Sequence, residues 1–179
     1  MKFLLTVASI ALLCSCVHST TPKQPSQPDP KFRTTQPSRL YFKNMRSYYY
    51  QQSTQPSTRI DLYNLKKHKP YPLQPIIADN WMQDEAYILL ECHACEQFPD
   101  TLLFRKSTTQ ESSGIYTHAG RDPYAQLALA NWLFDALQAG HKIELRTINQ
   151  EWVPILQTAP DRSVFLHVIK DYLRLIEKI

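Results

Sequence analysis

The chain has 179 residues, 43% of them hydrophobic, and a formal net charge of +4. Its only glycines, Gly114, Gly120 and Gly140, cannot spell G-x-G-x-x-G or G-x-x-x-x-G-K-[ST], which excludes the loops that cradle phosphate and argues against nucleotide binding. Lys2 and the segment 17–39 (Lys23, Lys31, Arg33 and Arg39 against Asp29) account for the whole surplus of positive charge. Residues 40–179 are therefore close to neutral and offer no basic patch for nucleic acid.

Phe3 to Leu13 is an apolar run behind the single charge of Lys2, interrupted only by Thr6 and Ser9. A membrane-spanning helix needs about 20 apolar residues. A run of this shorter length fits the hydrophobic core of an export signal. It ends in Leu13-Cys14-Ser15-Cys16, which resembles the lipobox of bacterial lipoproteins. The resemblance covers only the first 16 residues. It implies removal of residues 1–15 as a signal peptide and acylation of Cys16 (palmitate among the chains), with membrane attachment through those chains. Cys14 is a poor alternative, because it would place bulky Leu13 next to the cut. Val17 follows the acylated position, where lipoproteins kept in the inner membrane often carry Asp. The resemblance therefore implies the outer membrane, on its periplasmic side.

Residues 17–39 mix Pro22, Pro25, Pro28, Pro30 and Pro37 with Ser, Thr, Gln and Lys. So few apolar groups cannot offset ordering entropy, and a tether is expected over 16–39. Its basic charge suits an anionic membrane surface. A single domain is expected over 40–179.

Strand signals come first. The aromatic stretch 39–52 reads as β-prone. Ser53 to Ser57 would turn it into a second strand within 58–65. Residues 66–75, with three prolines, read as a loop. A strand at 76–80 turns near Met82–Gln83 into "DEAYILLEC", where Ala86, Ile88, Leu90 and Cys92 share one face. Further strands are expected at 101–106 and 112–118.

The period then changes. Asp122-Pro123 caps and starts a helix that Gly140 ends. Residues 141–148 and 151–156 form two more strands joined across Asn149-Gln150. Pro160-Asp161 opens the last helix. Its buried stripe is Val164, Phe165, Val168, Ile169, Tyr172, Leu173 and Ile176, and Ser163, His167, Lys170, Asp171, Arg174 and Lys178 face away. The expected class is α+β, a largely antiparallel sheet of 7–8 short strands with two helices in the C-terminal half.

Two features bear on function. With Cys14 removed and Cys16 acylated, Cys92 and Cys95 form a C-x-x-C pair in an oxidising compartment. The thioredoxin arrangement needs a helix opening at the motif, but Pro99-Asp100 and a strand follow. A structural disulfide or two thiols at a hairpin end is the simpler reading. Zinc would need His93 plus distant His118 or His141, so no metal site is expected. The order Cys95, His118, His141 is similar, in order alone, to a cysteine peptidase acting on cell-wall peptides. The second feature is Tyr48-Tyr49-Tyr50, a candidate contact surface for a glycan or peptide; two rings packed and one exposed is the expected split. The sequence thus points to a lipid-anchored envelope protein that binds another envelope protein or a glycan without cofactor. The alternative is an envelope enzyme using Cys92/Cys95 as a thiol oxidoreductase or cysteine hydrolase.

Overall fold

A computed structural model describes residues 29–66, 73–93, 101–107 and 112–179, without the side chains of Ser112 and Ser113. The stretch expected to be a signal peptide, Cys16, the part of the expected tether up to residue 28, and Cys95 lie outside the described residues. Among the described residues the fold is α+β: eight strands in two four-stranded antiparallel sheets, with three α-helices, two of them in the C-terminal half.

The first sheet is a meander of β1 (Tyr50–Thr54), β2 (Asp61–Leu65), β3 (Leu73–Asn80) and β4 (Glu85–Cys92). The period-two pattern sets its faces: Ala86, Ile88 and Leu90 are buried and alternate with half-exposed Glu85, Tyr87 and Leu89. β3 begins earlier than expected and includes Pro75. That proline pairs with Leu90 on β4, while β2 reaches only as far as the pair Tyr63–Ile77. Its missing N–H therefore falls where β3 has no second neighbour, which is where a strand tolerates proline.

The second sheet runs β6-β5-β7-β8, from β5 (Thr101–Ser107), β6 (Ser112–Ala119), β7 (Lys142–Arg146) and β8 (Trp152–Ile155). Helix α2 (Pro123–Gln138) lies between β6 and β7, with the Asp122 carboxylate accepting from the amides of Tyr124 and Ala125 at 3.0 Å. It packs on β4 of one sheet and on β6 and β7 of the other. Helix α3 (Ala159–Leu175) packs on β3, β4 and α2. One apolar cluster joins both sheets and both helices, from Ile77 and Ile88 through Phe104 and Leu133 to Phe165 and Tyr172.

Two expectations are corrected. Residues 39–49 are not a strand. Thr35 and Ser38 form a reciprocal capping box, and Pro37 lies in the first turn of α1 (Gln36–Tyr41). The chain continues through a π turn over Phe42–Arg46 and a 3₁₀ turn over Ser47–Tyr49 before β1 begins. Cooperative capping four residues upstream overrides the β preference of the aromatics. Residues 29–39, expected in the tether, lie against the domain. Phe32 is buried between Tyr87 (5.2 Å between ring centroids) and Tyr124 (5.0 Å), and the backbone of Arg33 pairs with that of Glu85 in an isolated antiparallel β-bridge.

Candidate functional site

The three consecutive tyrosines sit where the 3₁₀ turn hands over to β1, and the change of conformation sends them apart. Tyr50 is 2% exposed, Tyr49 51% and Tyr48 79%. One ring packs and two are exposed, the reverse of the expected split. Tyr50 belongs to an aromatic trio with Phe42 and Tyr63, whose edge-to-face contact has centroids 5.0 Å apart.

Beneath the exposed pair lies a buried polar anchor. The Tyr50 hydroxyl donates to Asp171 Oδ2 at 2.7 Å, and Arg46 Nε donates to Asp171 Oδ1 at 2.8 Å. Asp171 is itself buried. Its expected place on the outer face of the last helix is therefore wrong: Arg46, from the π turn, reaches across and compensates the charge. Both carboxylate oxygens are satisfied, the condition under which a buried acid is tolerated. Burial, then the negative charge of Asp171, push the Tyr50 phenol well above its ordinary value, so it stays a hydrogen-bond donor. The bond to Asp171 likewise tightens the proton on Arg46.

This anchor fixes a groove of about 690 Å³ lined by Arg46, Tyr48, Tyr49, Leu65, Lys66 and His167. Arg46 lies over the Tyr49 ring (4.9 Å) and Lys66 over the Tyr48 ring (5.1 Å). Lys66 Nζ also donates to the Tyr48 carbonyl at 2.9 Å. The two tyrosine rings meet edge to face at 80°, so they do not form one flat platform. Among the described residues no carboxylate lines the groove. From Thr35 to Ile60 the sequence holds Arg39, Lys43, Arg46 and Arg59 and neither Asp nor Glu. Leu40, Tyr41 and Met45 are also exposed on the same helical segment. Sequence reasoning found the tyrosines but missed Arg46, Lys66, His167 and Asp171. A cation four residues before Tyr50 was the available local signal; the partner on α3 was not readable.

The other candidates are placed elsewhere. Cys92 is the last residue of β4, half-buried against the core, and is disulfide-bonded. Cys95 lies outside the described residues. The neighbouring His93 ring lies 3.1 Å from Gln74 Oε1. His118, opposite Leu102 on β6, is buried with Nε2 unpartnered, and burial holds its pKa below the ordinary value against the pull of Asp122. His141 follows α2, with its amide bonded to the Ala136 carbonyl at 2.9 Å. Among the described residues, no three His, Cys, Asp or Glu side chains are grouped to hold a metal ion. Compared with protein-family models, with curated proteins and with solved structures, the chain matches none.

Proposed function

We propose that this is a lipid-anchored protein of the bacterial cell envelope, held by acyl chains on Cys16 at the periplasmic side of the outer membrane. Its role is to bind another envelope component without catalysis. The anchoring half of this reading rests on Leu13-Cys14-Ser15-Cys16. The binding half rests on one observation: two exposed tyrosines, each with a cation over its ring, held in place by the bonds of half-buried Arg46 and buried Tyr50 to buried Asp171. Exposed, rigidly supported aromatics beside cations are the composition of binding hot spots. Among the described residues no helix is long and apolar enough to cross a membrane.

The alternative, thiol chemistry at Cys92/Cys95, has less support. Cys92 closes a strand and packs against the core, where a sulfur is poorly placed to react. In-cell crosslinking separates the two. A photoreactive residue at position 48 should capture a discrete partner, and Cys16→Ser should release the chain from membrane fractions. A folded, anchored Cys92→Ala/Cys95→Ala variant that loses function while position 48 captures nothing would favour the enzyme.

A further inference from the structure

The first sheet has two edges, the second sheet two more, and among the described residues three of the four are blocked. At β4, Ala86 N donates to the Phe32 carbonyl (2.9 Å) and Leu90 N to Gln126 Oε1 of α2 (2.9 Å). At β8, Pro154 stands opposite Glu144. The turn closes with Thr147 N donating to the Glu151 carbonyl, so the alternation of the ladder makes Pro154 an outward-facing position without an N–H. At β6, the register steps from Arg105–Ile115 to Lys106–Ser113, leaving Gly114 as a bulge that interrupts the ladder. These are the devices by which proteins protect sheet edges.

β1 carries none of them. Its residues Gln51, Gln52, Ser53 and Thr54 are all exposed, uncharged and free of proline. Lys66 N donates to the Tyr49 carbonyl and Gln55 N to the Ile60 carbonyl, which fixes the phase of the β1–β2 ladder. Gln51 and Ser53 therefore face β2, while Gln52 and Thr54 point their N–H and C=O outward. Just before this open edge stand Tyr48 and Tyr49 with Arg46 and Lys66. Arg46 spends only Nε on Asp171.

Resting on the binding role proposed above, we infer that the occupant is an extended acidic segment of another protein, which adds to the first sheet as a strand beside β1. Gln52 and Thr54 supply the backbone hydrogen bonds, the mode of β-strand addition. Past the Tyr50 end, apolar side chains of the segment contact Tyr48 and Tyr49, and its carboxylates meet Lys66 and the terminal N–H groups of Arg46. Charge complementarity selects this occupant. The chain's own residues 17–28 hold Lys23, no acid and three prolines, a composition that does not complement these cations. A second copy paired antiparallel along β1 would set its residues 55–60, which hold Arg59 and no acid, near Tyr48 and Arg46, so it does not complement them either. A glycan would use neither the outward amides nor the edge-to-face ring pair as a stacking platform.

The test is selection on the purified full chain from a displayed library of random peptides about ten residues long, the upper range of ordinary strands. The expected winners are proline-free and acidic, and their binding weakens as salt is raised. Gln52→Pro, which removes an outward N–H but no bond to β2, should lower their affinity at least about tenfold with the circular dichroism unchanged. Lys66→Glu should do the same. Winners that are basic or proline-rich, or that bind Gln52→Pro equally well, overturn strand addition. So does a dimer in sedimentation that Gln52→Pro dissociates, or displacement of the peptides by phosphatidylglycerol vesicles that bind Gln52→Pro unchanged. The wider binding role is judged separately by Tyr48→Ala. If Tyr48→Ala abolishes capture in cells but Gln52→Pro does not, the groove stands and the strand pairing falls. If neither variant matters, both fall.

Discussion

The two edges of the first sheet are built from the same kind of backbone and treated in opposite ways. β4 is sealed by a strap from the N-terminal side (Phe32, Arg33, Thr34) and by a glutamine from α2. β1 is left with its outward amides in water and two tyrosines beside them. The sealed edge has its polar groups matched from within the chain, so it contributes stability. The open edge costs the fold nothing to leave open, since water satisfies it, and it keeps its bonding capacity for something else. Buried partners mark where a region holds the fold together, and exposed, well-supported groups mark where it has work to do outside.

The largest effect should come from the strap. Phe32→Ala removes a buried ring from between Tyr87 and Tyr124 and should cost about 3 kcal/mol. Urea unfolding measures it; a change under about 0.5 kcal/mol would return residues 29–39 to the status of a tether. Gln126→Leu at the same edge leaves the Leu90 N–H buried without an acceptor and should cost about 1–3 kcal/mol. An unaltered midpoint would mean that water already reaches that amide.

A third test uses pH. Arg39 links α1 to Asp79 Oδ1 on β3 (3.2 Å) and to Asp84 Oδ1 (2.8 Å). Asp79 is fully buried with Oδ2 unpartnered, and burial raises its pKa above the ordinary 3.8 despite Arg39. The folded chain therefore holds this proton more firmly than the unfolded one. The resulting stability is fully present below 3.8 and is lost as pH climbs through the raised folded value. Asp79→Asn should flatten that decline while changing stability at neutral pH by no more than about 1 kcal/mol. Unfolding midpoints of both proteins across this window decide it, and a steeper decline in the variant would reverse the assignment. The smallest effects belong to the open edge. Tyr48→Ala and Gln52→Pro should each stay within about 0.5 kcal/mol in stability. A larger loss in either would mean that β1 is part of the structural frame.

How much of this was legible in the sequence depends on distance along the chain. The faces of β4, the Asp122-Pro123 start of α2 and the stripe Phe165–Val168–Tyr172 follow from local period and capping, and all stand where expected. The aromatic stretch from Leu40 to Tyr49 misled because its propensity is β while its conformation is set by Thr35 and Ser38 just upstream. Asp171 misled because its burial depends on Arg46, 125 positions away. No local pattern announces such a pair. The tyrosine run was visible, but which rings point outward depends on the 3₁₀ turn over Ser47–Tyr49, which ends where β1 begins at Tyr50. The edge devices, Pro154 and Gly114, become meaningful only once strand order is known.

Hydrogen exchange of individual amides compares the two edges in one experiment. In the free chain, Gln52 and Thr54 should exchange like open amides, while Ala86 and Leu90, bonded at 2.9 Å to Phe32 and Gln126, should exchange far more slowly. On saturation with a selected acidic peptide, Gln52 and Thr54 should become protected and the β4 pair should not change. Protection of Gln52 and Thr54 already in the free chain, or none after the peptide is bound, would contradict the assignment of β1 as the edge reserved for a partner.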